Sequence, residues 1–467
     1  MIARLEKKKA TSFITFLGYL LKILFVTATA MMVGGMNLTL GLLFAGVFSF
    51  AHLFLSRGQF GTFFAPNFLF IPLVYRTLNS LDYQLFPNDY LGAIGELVVA
   101  FWLAGILHII LAIIARYIPY QKLRRAFPPY LIGALSIVLA FSFLLLVGGE
   151  YLIVPLIERT AFPFIPVLGL LFTILLAHLI KTKAKKESIF REAYFFFALL
   201  GGTVFYFGME VIAYGAALQE GTPHLFLMFT GPNALSWRRI TPFQQQGELF
   251  GYLDHLRFNW DLALAIIPLT IIAFFELFEA VKNDQRLLLN TSLNVADYDR
   301  FLFANGLSLM LSSAAGVSPF YAQRVYDERL AQKEERRLLL FAVIAIMVLA
   351  IWQWFNNIFY LIPPLIYLAI TAYSFMVIIG HGYQMIKVSF LEQGDKKNII
   401  IATIIVVAGG GFAVLNAINA WTGLNFGVIT IENVQLNPLL IIMALGILLN
   451  IVIPRRKKKE KSQERRT

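Results

Sequence analysis

Two carboxylates stand inside an apolar run, and no other residues in the chain invite chemistry so directly. Glu276 and Glu279 fall in Phe274-Phe275-Glu276-Leu277-Phe278-Glu279. They are three residues apart, so a helix puts them on one face. An ionisable group at membrane depth is costly and marks a functional site by default. Such a pair can hydrogen-bond a polar heterocycle and exchange a proton. For Glu279 a competing reading is an ion pair with Lys282 or Arg286 near the helix end. Other ionisable residues lie within or at the ends of apolar segments. Lys22 reads as snorkelling toward the cytoplasm or as the partner of a buried acid. Glu96 reads as interfacial, His108 as a satisfied core histidine, and Glu210 as buried by pattern. His381, between Gly380 and Gly382, reads as a residue at a loop edge.

A second group surrounds Gly316 and Pro319, which suit an extended stretch leading into a helix N-terminus. Free backbone N–H groups there can meet a ligand. Tyr321 and Gln323 follow. Phe60, Thr62 and Phe63 belong to an earlier stretch broken by Pro66 and Pro72, and offer an aromatic face across a cavity. The competing reading takes 319–337, with its many charges, as an amphipathic surface helix. The candidate binding set is therefore Glu276, Gln323, Phe63, Tyr321 and Phe60, with Glu279 and Glu276 as ion-coupling groups. No enzyme is expected. No Walker loop, GxSxG, HExxH or Rossmann glycine pattern occurs in its required context. With no cysteine in the chain, thiolate metal sites, disulfides and cysteine catalysis are excluded. Gly409-Gly410-Gly411 lies inside an apolar segment and reads as close helix packing.

These residues need elements to hold them, and composition says which kind. Of 467 residues, 58% are hydrophobic and 14% charged, and the mean hydropathy is +0.72. Soluble domains run at about 45–50% apolar and about 25% charged, so a soluble globule is excluded. The net charge of +12 is no nucleic-acid signal, because the basic residues sit at the ends of apolar segments. A crossing helix needs about 20 residues. Clear candidates are 12–33, 38–55, 92–116, 129–147, 164–180, 193–218, 261–281, 338–355, 361–386, 398–420 and 438–454. The first is too long for a signal-peptide core. Segments 60–78, 301–315 and 319–337 are irregular.

Together they make an all-α polytopic membrane protein of fourteen transmembrane segments. Lys and Arg crowd the loops near 4–9, 116–125, 181–191 and 455–459, and are absent from 79–90 and 421–436. Both termini are then cytoplasmic. The division reads as a basic tail 1–11, a first repeat 12–218, an extracytoplasmic loop 219–259, a second repeat 260–454 and a basic tail 455–467. Broken helices occur at membrane depth only where protein or water surrounds them. Segments three and ten are both broken, and they are seven apart. Such a pattern points to an inverted-repeat transporter with its site at the breaks.

Several stretches together resemble the nucleobase–ascorbate transporter family, the xanthine/uracil permeases. They are Phe127-Pro128-Pro129-Tyr130-Leu131-Ile132-Gly133, the turn 61–66, Phe303-Ala304-Asn305-Gly306-Leu307-Ser308 with Gly316, and Ile362-Pro363-Pro364 with Gly382. Lys397-Asn398 with the triple glycine, and Gly446-Ile447-Leu448-Leu449-Asn450 with Pro454, complete the series. The resemblance implies a seven-plus-seven inverted repeat with core and gate domains, and short strands in segments three and ten. It implies uptake of a purine or pyrimidine base with protons or sodium, no other cofactor, and a homodimer in the cell membrane moving by an elevator-like shift. Glu276 falls where the family's substrate-binding glutamate stands. The chain departs from the family at Gly18-Tyr19, where a Gln-His pair is usual. It departs again in segment ten, where Tyr321-Ala322-Gln323-Arg324 align through a short deletion. The alternatives are a sulfate-permease-like anion transporter and a sensor or scaffold on a degenerated transporter fold.

Overall fold

The computed structural model describes residues 2–34, 36–55, 62–78, 87–118, 120–149, 164–185, 188–216, 251–287, 295–316, 318–324, 332–393, 396–422, 430–431, 434–435 and 437–453. The protein is mostly helical. In chain order the elements are α1 Ile2–Val33, α2 Leu38–Leu55, β1 Thr62–Pro66, α3 Ile71–Leu78, α4 Pro87–Tyr117, α5 Tyr120–Ala126, α6 Pro129–Gly148 and α7 Phe164–Lys183. Then come α8 Ile189–Glu192, α9 Tyr194–Ala216, α10 Trp260–Leu287, α11 Val295–Ala314, β2 Phe320–Arg324 and α12 Gln332–Ile351. The chain closes with α13 Gln353–Tyr360, α14 Pro364–Gln393, α15 Lys396–Thr422, the two-residue strands β3 Thr430–Ile431 and β4 Val434–Gln435, and α16 Pro438–Val452. Among the described residues, eight helices are long and apolar enough to cross a membrane, and four shorter apolar helices accompany them.

Two groups of helices emerge from the packing. In one, α4 lies along α10 and α11, and α2 lies along α1 and α12. In the other, α6 is sandwiched by α14 and α15, α7 lies on α9 and α14, and α16 lies on α15. Helix α10 touches both groups through α4, α6 and α16.

The second group is held by close backbone approach. A methyl placed on Gly133 of α6 would stand 2.5 Å from the Gly382 carbonyl oxygen of α14, and the reverse distance is the same. The helices cross there because neither carries a side chain. Gly446 and Gly409 admit side chains of neighbouring helices in the same way. Asn450 then ties four segments at one end. Its Oδ1 accepts from the Tyr130 hydroxyl at 2.8 Å, and its Nδ2 donates to the Arg125 carbonyl at 2.9 Å. Lys397 Nζ donates to the Asn450 and Ile453 carbonyls at the C-terminal end of α16, where a cation meets free carbonyls and the negative end of the helix dipole.

The first group contains the breaks. β1 and β2 pair antiparallel, with Phe63 opposite Gln323, Phe64 opposite Ala322 and Ala65 opposite Tyr321. The reading of 319–337 as a surface helix is therefore corrected. Pro319 cannot continue a helix, 320–324 is a strand, and α12 begins at Gln332. Gly316 makes the turn out of α11 at φ 67°, a left-handed conformation that a Cβ penalises.

Candidate functional site

Strands at membrane depth need partners for every backbone polar group, and α11 supplies them. Asn305, Ser308 and Ser312 recur at three and four residues, so they share one helix face. Asn305 Oδ1 accepts from the Ala322 N–H at 2.8 Å. The Ser308 hydroxyl donates to the Phe320 carbonyl at 3.0 Å, and Ser312 Oγ accepts from the Phe320 N–H at 3.1 Å. On the other strand, Ser49 Oγ of α2 accepts from the Phe64 N–H at 2.7 Å. The Asn67 N–H donates to the Pro319 carbonyl at 2.9 Å and closes the pair at its far end. Tyr252 secures the turn before β2. Its hydroxyl donates to the Ala314 carbonyl, and burial pushes its pKa up to about 12, so it stays a donor.

Glu276 sits on α10 beside this pair of strands. The Ser136 hydroxyl of α6 lies 2.6 Å from its Oε1 and 2.9 Å from the Ile132 carbonyl. A hydrogen bond to a carboxylate is the stronger of the two. Tyr321 of β2 and His381 of α14 lie within electrostatic reach of Glu276. The carboxylate thus faces both helix groups at once. His381 is exposed and inside α14, not at a loop edge.

The other expected residues fall as follows. Phe63 is fully buried in β1, with Lys22 Nζ of α1 5.9 Å from its ring centroid. Tyr321 is buried in β2. Gln323 is in the same strand, its Cα paired with that of Phe63. Phe60 lies outside the described residues. The fold therefore brings Phe63, Tyr321 and Gln323 onto two adjoining strands, with Glu276 nearby. Glu279 is one turn further along α10 and pairs with Arg124 of α5 at 3.6 Å, both side chains largely covered. The side chains of Lys282 and Arg286, the local partners expected from sequence, lie outside the described residues. Glu96 accepts from Asn259 Nδ2 at 2.7 Å, and Asn259 in turn caps the start of α10. Glu210 is buried, as its pattern implies.

One neighbour of Glu276, Ser136, is not singled out by sequence, and one neighbour of Tyr321, His108, reads there as core. Ser136 stands one turn after Gly133, and that spacing is the signal that points to it. His108 reads as core, yet its Nδ1 lies 2.9 Å from the Tyr321 hydroxyl. Among the described residues, no cluster of three His, Cys, Asp or Glu side chains could hold a metal ion.

Comparison with known proteins identifies the family and the fold. The model of the Permease family of xanthine and uracil permeases matches residues 8–418. A uracil permease of Bacillus caldolyticus is 20% identical over 429 residues, covering 90% of this chain and 87% of that protein. Among solved structures, the murine Solute Carrier 26 family member A9 anion transporter in its inward-facing state superposes with a TM-score of 0.56 at 9% identity. That match covers 95% of this chain and 68% of the other. A further structure of SLC26A9 superposes at 0.51 with 12% identity, over 91% and 69%. These likenesses establish a shared fold.

Proposed function

The chain belongs to the xanthine/uracil permease family, and from that premise we propose that it is a secondary active transporter of a nucleobase. The observation that carries the proposal is Glu276, a carboxylate held by Ser136 beside a pair of strands at the break of two membrane segments. The base lies between β1 and β2 on one side and α10 on the other. Glu276 hydrogen-bonds its edge, Phe63 offers a ring face, and Tyr321 completes the pocket. The permease relative, named for uracil, makes uracil and xanthine the first bases to test.

Coupling follows from the same carboxylate. Glu276 takes up a proton with the base and releases it on the cytoplasmic side. A sodium ion is the other coupling choice. Glu279 joins the coupling through its ion pair with Arg124, which opens or closes as α10 shifts. We place the protein in the cell membrane with both termini cytoplasmic. It forms a homodimer of fourteen-segment protomers built as a seven-plus-seven inverted repeat. The strand-bearing group is the moving core and the glycine-packed group is the fixed gate, in an elevator-type cycle. Lys22 beside Phe63 favours a second reading, in which the ligand is an anion.

Thermal unfolding of the detergent-purified protein separates the two. A ligand that binds the folded state alone raises the melting temperature by mass action. Uracil, xanthine, hypoxanthine, guanine, adenine and urate are tested beside sulfate, bicarbonate and chloride. A shift with a base that Glu276→Ala abolishes is expected. A shift with an inorganic anion alone overturns the nucleobase reading. Uptake into proteoliposomes with imposed proton or sodium gradients then identifies the coupling ion.

A further inference from the structure

Helix α6 is set against α14 where a Cβ on Gly133 would stand 2.5 Å from the Gly382 carbonyl oxygen. Ser136 is one turn further along α6 and wholly buried, so this seam fixes where its hydroxyl stands. Its Oγ lies between two oxygens, Glu276 Oε1 at 2.6 Å and the Ile132 carbonyl at 2.9 Å. That carbonyl is four residues back on the same helix, a common second partner of a helical serine. A carbonyl can only accept. A carboxyl group accepts when ionised and can donate when protonated. A hydroxyl has one proton to give and lone pairs to receive, so it can serve Glu276 in either state. With the carboxylate, the Ser136 proton points to Oε1. With the acid, Oε1 gives its proton to Oγ, and the Ser136 proton turns to the Ile132 carbonyl. A lysine or arginine could serve the carboxylate only, since neither has an acceptor.

We propose that Ser136 is a positioning residue that keeps Glu276 hydrogen-bonded both before and after the carboxylate takes a proton. The inference rests on the nucleobase reading and adds a residue to its coupling step. A buried polar group left unpaired is costly, so a carboxylate that changes state needs a partner that changes with it. Glu279, one turn away, has instead a guanidinium partner in Arg124, and a cation favours the charged form alone. Other titratable groups approach from the elements packed on α10. They are Tyr321 of β2, His381 of α14 and, on α4, His108 against Phe274. Asp89 and Glu96 lie toward the start of α4, and Arg116 about two turns beyond His108. Helices α6 and α16 and strand β4 carry no Asp, Glu, Lys, Arg or His. His381 is exposed, and histidine ordinarily changes charge near neutral pH, so it is the rival that the experiment excludes.

The probes are uracil and xanthine, with binding and proteoliposome uptake measured on the full-length protein across a pH series. Wild-type binding is expected to weaken as pH rises through one transition, because the proton and the base are taken up together. Hydrogen bonds to charged groups are about twice as strong as neutral ones, so Ser136→Ala takes more from the carboxylate than from the acid. Its transition is expected to move to higher pH by about one unit, a tenfold change in the proton equilibrium. Ser136→Thr keeps a hydroxyl that can reach the same carbonyl and is expected to restore the wild-type transition. If Ser136→Ala does not fold, Ser136→Cys, with a weak thiol donor, is expected to move the transition the same way. His381→Gln is expected to leave the transition and its displacement by Ser136→Ala in place. A wild-type transition in a folded Ser136→Ala or Ser136→Cys protein overturns the role of Ser136 and leaves the nucleobase reading intact. So does wild-type base binding that is equal across the series, or a transition that disappears with His381→Gln. Absence of base binding by wild type at every pH overturns both.

Discussion

The strand-bearing group and the glycine-packed group solve the same problem by opposite means. Around β1 and β2 the main chain leaves the helix, and side chains repair it: Ser49, Asn305, Ser308 and Ser312 each take a strand N–H or carbonyl. Around α6 the main chain stays helical, and side chains are removed so that backbones touch at Gly133 and Gly382. The first solution commits buried polar side chains to the strand backbone. The second leaves a dry seam that fixes helices against each other. Glu276 belongs to α10, which touches both, and its hydroxyl partner comes from the glycine-packed side. Function is therefore expected to fail with changes near the strands, and stability with changes at the seam.

The largest effect is expected from Glu276 itself. Hydrogen bonds to charged groups contribute about 1.5–3 kcal/mol each. Losing two of them to a base weakens binding by about 100-fold or more. Glu276→Gln keeps the volume and should abolish the ligand-induced rise in melting temperature while leaving the unliganded melting point near wild type. A Glu276→Gln protein that still takes up base with wild-type KM would break the assignment of the site to the strand side.

Next comes the seam. Gly133→Ala drives a methyl into the Gly382 carbonyl. Overpacking of this kind costs about 1–3 kcal/mol, and a rigid backbone partner puts it at the upper end. The melting temperature should fall while the order of base preference is unchanged. Asn305→Ala is the matching change at the strands. It leaves the Ala322 N–H unpaired at about 1–3 kcal/mol, and it should also weaken base binding, because β2 carries Tyr321 and Gln323. The two variants, equal in stability cost, should differ in ligand response, and calorimetry with and without base reads that difference.

Much of this contrast was legible in the sequence, for physical reasons. Hydropathy located the long helices because lipid demands length. Gly316 and Pro319 located the break at β2 because neither suits a helix. The pairing of β1 with β2 was harder, since it joins residues far apart in the chain. Ser136 is one hydroxyl in an apolar helix, and a hydroxyl announces no partner until the fold supplies one. His108 is the buried, hydrogen-bonded core histidine that its place in an apolar segment implies, and only the fold shows that its partner is Tyr321. Arg124 of α5 is a partner of Glu279 that no local spacing could reveal, since tertiary packing brings it there.

That last pair makes the smallest prediction and the sharpest one for the comparison. Glu279 and Glu276 share a helix and a residue type, yet one meets a cation and the other a neutral hydroxyl. The side chains of Arg124 and Glu279 remain 21% and 14% exposed, and ion pairs of partial exposure contribute about 1 kcal/mol or less. Glu279→Gln should therefore lower the melting temperature by a few degrees at most, less so in high salt, where the pair is screened. Base affinity should stay within about threefold of wild type, while the dependence of uptake on the proton gradient changes if the pair opens during the cycle. A loss of base affinity as large as that of Glu276→Gln would place Glu279 in the binding site. It would also erase the distinction between the turn of α10 that carries Glu276 and the turn that anchors it to α5.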